Sequence, residues 1–290
     1  DGYVAALEVV AYCEDYNSDG DINLQDALHT NSPFMNAIDE DNWDNNATTF
    51  VDDLLGYDLT GPTSSSSDSD NDPMPILFGP PDAGNRSHGT GVAGCLAATT
   101  NNNLGVSSAI YKASIMAVKL AQDNDSDGGV WNSTDGVLYA AKAGADVINM
   151  SYGNYSYSAY DHSVMNVATE TYGALLVSSA GNEASDAQGY PGSYDNVLNV
   201  TSTNGGDALV DWHANYGETI DLCAPGENVQ TTFLTGDGSY YDYSGTSFAS
   251  PLAAGCLGLI KATYPEASIE WLRERLLAGA DNIDAQNPDF

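Results

Sequence analysis

An α/β domain built on a largely parallel sheet is the fold class this sequence predicts, and two observations predict it. Beyond the opening fifth, short runs of β-branched and apolar residues alternate with longer small-residue stretches at helical spacing. Those short runs are largely apolar and bounded by glycine, asparagine or charge, as the strands of a covered parallel sheet are. The predicted strands are ASIMAVK (113–119), DVINMS (146–151), ALLVSSA (174–180), NVLNVTS (196–202) and TIDLCAP (219–225). Between them VAGCLAAT (92–99), STDGVLYAAKAG (133–144), AYDHSVMNVATETYG (159–173) and SPLAAGCLGLIKATY (250–264) read as helices. SIEWLRERLLAGA (268–280) is the clearest amphipathic helix, with a serine to cap its start and a glycine at its end.

The 290 residues, 42% of them hydrophobic, suffice for one large core, so a single domain over 1–290 is expected. PTSSSSDSDNDP, within the polar stretch near 40–85, is a low-complexity exposed loop. The opening carries no leader and the end, NIDAQNPDF, no closing element, which predicts a processed or truncated chain. Seven basic residues against 41 acidic ones give a formal charge of −34. Such a surface repels phosphate backbones and anionic bilayers, and suits divalent cations or a salty medium. Neither nucleic acid nor membrane is an expected partner. Cys13, Cys95, Cys223 and Cys256 stand singly, without the close pairs of zinc sites; they read as buried thiols, with disulfides the alternative.

Three motifs carry chemistry. YSGTSFASPLAAG (243–255) sets Ser247 ahead of small residues and a helix-starting proline, where first-turn N–H groups and the helix dipole stabilise an oxyanion. Ser247 is the candidate nucleophile. RSHGTGVAGCLAA (86–98) puts His88 at the start of a second tight helix, a fixed position such as a general base needs. LLVSSAGNEAS (175–185) ends an apolar strand on Asn182, whose carboxamide can donate to the same oxyanion.

Together these motifs resemble the subtilisin-like serine proteases, in consistent order from about Ser87 to Ala280. The match departs at Gly91, where a second histidine is common in that family. The resemblance implies a three-layer subtilisin-like fold with a mainly parallel central sheet. It also implies a secreted serine endopeptidase in which Ser247 attacks a peptide carbonyl, His88 moves the proton and Asn182 steadies the oxyanion. INMSYG (148–153) is similar to the family's substrate-pairing edge strand. Ser151, Tyr152 and Gly153 are then expected on one side of the cleft, and Ala180, Gly181 and Asn182 on the other, with an extended polypeptide between them. A propeptide or self-association is a further possible partner.

The resemblance also implies calcium. TTNNNLGVSSA (99–109) is similar to a calcium loop of many relatives, which nominates the carbonyls of Thr100, Leu104 and Val106 with the side chain of Asn102. The triad acid is less plain, because the family's usual Asp-Thr-Gly is absent. LEVVAYC (7–13) is the strand that would carry it; Asp15 is the preferred acid, with Glu14 and Glu8 as alternatives. Asp15 also opens DYNSDGDINLQD (15–26), whose oxygen-bearing residues have the spacing of an EF-hand-type loop. Two assignments therefore compete. In one, Asp15 serves His88 while Asp26 binds the metal; in the other, Asp15, Asn17, Asp19, Asp21 and Asp26 all go to calcium, and the triad either uses Glu14 or is broken, the latter leaving a catalytically inactive, calcium-loaded binding or structural module.

Overall fold

The computed structural model describes residues 56–60, 69, 73, 87–122, 129–234 and 239–288. By its contacts the chain divides into two compact units, one of residues 1–78 and 114–132, the other of 79–113 and 133–290. In the first unit, β1 (Gly56–Asp58) and β2 (Ala117–Lys119) pair in parallel. Only the last three residues of the predicted strand 113–119 join this ladder, and β1 was not expected in so polar a stretch. Asp58, 2% exposed, takes the Lys119 ammonium at 2.6 Å and the Thr60 N–H and hydroxyl at 2.8 and 2.7 Å. Both carboxylate oxygens are thereby satisfied, which is what makes burial of this pair tolerable.

The second unit is built on four parallel strands in sequential order, β3 (Val147–Met150), β4 (Leu175–Ser179), β5 (Val197–Thr203) and β6 (Leu222–Pro225). Each lies within one residue of its predicted segment. Side chains alternate across the sheet. Leu175, Val177, Leu198 and Val200 therefore share a face, where they pack with Ala249, Ala253, Ala254, Leu257 and Leu272. Burying each of the leucines is worth about 2 kcal/mol. The opposite face, with Leu176 and Val197, is covered by α2 (Ser133–Lys142) and α3 (Ala159–Glu170), giving helices on both sides.

The other helices follow the sequence reading with one correction. α1 is His88–Ala97, α4 is Thr246–Thr263 and α5 is Ile269–Ala278, and Ser268 caps α5 by accepting from Trp271 N–H at 3.2 Å. α4 begins before its proline, not at it, so Pro251 lies inside the helix. Proline has no N–H, so the carbonyl of Ser247 loses its partner four residues on. Ser151 Oγ fills that vacancy, donating to Ser247 O at 2.8 Å. The sequence reading also missed an antiparallel hairpin, β7 (Val229–Thr232) with β8 (Tyr240–Tyr243), which packs against α1.

Candidate active site

Parallel strands deliver the loops that follow them to one edge of the sheet, the edge where open α/β folds bind ligands. Ser151 follows β3 directly and Ala180 follows β4. α4 crosses this sheet, with Ser247 in its first turn. Thr246 N–H donates to Asn182 Oδ1 at 2.9 Å and Thr246 Oγ1 lies 3.1 Å from the same oxygen. A backbone N–H can only donate, so this contact fixes which end of the carboxamide is oxygen. Asn182 Nδ2 is left as a donor without a partner among the described residues. Phe248 N–H is taken by Gly245 O at 3.0 Å, while Ser247 N–H has no partner among the described residues. Two donors, Asn182 Nδ2 and Ser247 N–H, are thus without partners among the described residues, and the Asn182 carboxamide is bound to the first turn of the helix that carries Ser247.

His88 is the first residue of α1, and its ring meets Phe248 edge-on at 5.5 Å between centroids. Phe248 stacks on Tyr243 at 4.5 Å, and the Tyr243 hydroxyl bonds Ser87 Oγ at 2.5 Å. The hairpin grips the same turn: Thr231 and Thr232 hydroxyls donate to Gly91 O and Thr90 O, each at 2.7 Å. This packing accounts for Gly91. A Cβ there would lie 3.1 Å from both Phe248 and Tyr243, so those rings occupy the space a larger residue would need. Gly94 is tighter still, since a Cβ on it would come within 2.2 Å of Thr232 Oγ1. Burial holds the His88 imidazole below its usual pKa, which keeps it neutral and able to accept a proton.

The Ser247 hydroxyl donates to Ser151 O at 3.4 Å, a long bond that leaves it free to turn toward a base. Catalytic hydrogen bonds often tighten only when substrate binds. Asp15 and Asp26, like Glu8 and Glu14, lie outside the described residues.

The cleft residues behave less uniformly than the sequence suggests. Ser151 turns its side chain inward, to Ser247 O, to Ser250 Oγ at 3.0 Å and to Asn149 Nδ2 at 2.9 Å. The Tyr152 phenol is pushed well above its usual pKa by burial and by Asp161, while the residue as a whole is half-buried. Gly153 passes close to the next segment, where a Cβ would sit 2.7 Å from Tyr190 O. Gly181 N–H goes to Thr246 Oγ1 at 3.1 Å and its carbonyl to Asn215 N–H, also at 3.1 Å. Ala180 N–H goes to Val200 O at 3.0 Å. The N–H groups of Ala180 and Gly181 are therefore committed within the fold, which leaves their carbonyls as the main-chain groups able to meet a ligand.

At the nominated calcium loop, Asn101, Asn103 and Gly105 have left-handed φ of 58°, 59° and 50°, which curls the chain tightly. Asn102 Oδ1 accepts from Leu104 N–H at 3.0 Å and keeps a second lone pair. The carbonyls of Thr100, Leu104 and Val106 with this amide are neutral, hard oxygen donors of the kind calcium takes. Among the described residues no group of three or more His, Cys, Asp or Glu converges. Of the described cysteines, Cys95 is buried but Cys223 is half-buried and Cys256 exposed, and all three are free thiols.

The sequence reading missed Asn215, which is 1% exposed and whose carboxamide contacts four residues around Asn182. No local motif announces it, because the partners of its carboxamide lie 30 or more residues away.

Known proteins resemble this chain in sequence and fold. The sequence pattern of the subtilase family matches residues 35–290, which begin after Asp15 and Asp26. The chain is 35% identical over 238 residues to a thermophilic serine proteinase of Bacillus sp. (strain AK1), covering 82% of this chain and 53% of that protein. It is also 35% identical to the halolysin-like extracellular serine protease Nep of Natrialba magadii, covering 76% of this chain and 37% of that one. With thermitase of Thermoactinomyces vulgaris it shares 37% identity over 65% of each chain. Among solved structures, a protease from Pseudoalteromonas arctica superposes with a TM-score of 0.66 at 32% identity, covering 78% of this chain and 77% of that one. The chain thus spans about half, or less, of the length of the first two relatives. With the parallel sheet, the helix carrying Ser247 and this match all in agreement, the chain belongs to the subtilase family.

Proposed function

We propose that the chain is a secreted serine endopeptidase that cleaves extended polypeptides through an acyl-enzyme. Ser247 attacks the scissile carbonyl and His88 takes its proton, later giving it to the leaving amine. Asn182 Nδ2 and Ser247 N–H receive the oxyanion. The observation that carries the reading is the 2.9 Å bond from Thr246 N–H to Asn182 Oδ1, which ties the amide donor to the first turn of the nucleophile's helix. The triad acid falls to Asp15, with Glu14 the alternative. The segments 151–153 and 180–182 flank the substrate. Calcium, held by Thr100, Asn102, Leu104 and Val106 and separately by Asp26, would supply structural charge and rigidity without taking part in the chemistry.

The alternative reading is a calcium-loaded module of the same fold that does not cleave. A fluorophosphonate probe separates the two readings. Labelling of the wild type that is lost in Ser247→Ala is the outcome expected of the enzyme; a wild type inert to the probe removes the enzymatic reading.

A further inference from the structure

We propose that Asn215 is a positioning residue that holds the Asn182 donor in place; the inference rests on the reading of Asn182 as the oxyanion amide. Asn215 Oδ1 accepts from Glu183 N–H at 3.0 Å and Ser185 N–H at 3.2 Å. Its Nδ2 lies 3.0 Å from Ala180 O, 3.2 Å from Glu183 Oε2 and 3.0 Å from the Tyr155 hydroxyl. Its own backbone N–H donates to Gly181 O at 3.1 Å. The two backbone donors and the Ala180 carbonyl fix the orientation of the amide, since each plays only one role.

Asn182 is thereby bracketed. Ala180 and Gly181 before it and Glu183 and Ser185 after it are all bonded to one buried residue. The Asn182 N–H itself goes to Glu183 Oε2 at 2.8 Å, an oxygen that Asn215 also holds. The loop needs a glycine at 181 for the same reason. Its φ is +105°, and a Cβ would lie 2.4 Å from Asn215 Nδ2. Asn215 is in turn anchored to the sheet, its carbonyl accepting from the Thr201 hydroxyl of β5. Through Tyr155 it also reaches the segment after β3, so one side chain ties together the two sides of the proposed cleft. An oxyanion donor works only if it is already aimed where the charge develops, and misplacement by about 1 Å can cost on the order of a hundredfold in rate.

Loss of this side chain also leaves buried groups unpaired, so a fall in activity alone would not separate positioning from folding. A double-mutant cycle does. The rates of peptide cleavage are measured for wild type, Asn182→Ala, Asn215→Ala and the double variant, with Tm recorded for each. Asn182→Ala is expected to lower kcat on the order of a hundredfold or more. Asn215→Ala is expected to lower kcat about tenfold or more with KM within about threefold, yet to change kcat less than about twofold in the Asn182→Ala background. If Asn215→Ala does not fold, the cycle is run with Asn215→Asp, which keeps the shape and both Oδ1 bonds but turns an oxygen toward Ala180 O and Glu183. An equal fold-loss in both backgrounds, or a change confined to KM, overturns the inference while leaving Asn182 in its role. Wild-type kcat in Asn182→Ala overturns the oxyanion reading and this inference with it.

Discussion

His213 illustrates how burial of a single residue writes a pH dependence into the fold. It is 4% exposed, its Nε2 lies 2.8 Å from Ser202 Oγ, and its Nδ1 has no partner among the described residues. An imidazolium needs two acceptors and finds one at most. Burial accordingly lowers its pKa from 6.5, and Glu227 offsets only part of that effect. The unfolded chain, with an ordinary imidazole, binds the proton more readily than the folded one. Stability from a neutral His213 is therefore fully present above about pH 6.5 and is lost as pH falls below it toward the lowered folded value. His88 is lowered in the same sense, so the test must be differential. The Tm advantage of wild type over His213→Gln is expected to shrink between about pH 7 and pH 5. An advantage that stays constant or grows across that interval contradicts the assignment.

At the scale of elements, α4 shows a helix whose defect is repaired from outside. Pro251 leaves the Ser247 carbonyl without its intrahelical N–H, and Ser151 Oγ supplies the missing donor at 2.8 Å. Ser151→Ala should cost about 1–3 kcal/mol, the usual penalty for orphaning a buried acceptor. In a Pro251→Ala background the helix regains its own N–H, so the same substitution should cost measurably less. Urea unfolding of the four proteins checks this, and strict additivity would sink the idea that the two residues share one carbonyl. The same helix also marks what sequence could reveal. Strands β3 to β6 were legible because each is a short, largely apolar run between polar or glycine-bearing segments, and the elements that carry His88, Asn182 and Ser247 because each holds a distinctive stretch of small residues. The start of α4 was misread because proline favours first turns, and only the Ser151 contact shows how an interior one is tolerated. β1 was hidden by being three residues in a polar stretch, and the hairpin because polar VQTT and YYDY draw their stability from α1. Asn215 was invisible for a different reason, since its role consists wholly of contacts between distant segments.

The whole molecule is governed by its charge. With 41 acidic residues against 7 basic ones, self-repulsion opposes the compact state throughout. Two remedies are open to such a chain, and they make different predictions. Diffuse screening acts on all carboxylates, and raising monovalent salt from about 0.1 M to 1 M shortens the Debye length from about 10 Å to about 3 Å. Bound calcium acts at particular oxygens, and stabilises by mass action in proportion to its occupancy. We expect both, so Tm should rise with sodium chloride in the presence of chelator, and rise again with millimolar calcium at fixed high salt. The calcium increment should be smaller in Asn102→Ala, which removes the one side-chain oxygen nominated in the loop at 99–109, whereas the salt increment should survive that change because the substitution alters no charge. A calcium increment identical in wild type and Asn102→Ala would move the metal away from this loop. If calcium has no effect at fixed ionic strength, the acidic surface is an adaptation to salt alone, since a hard divalent cation seated on folded-state oxygens must raise the stability of the state that holds it.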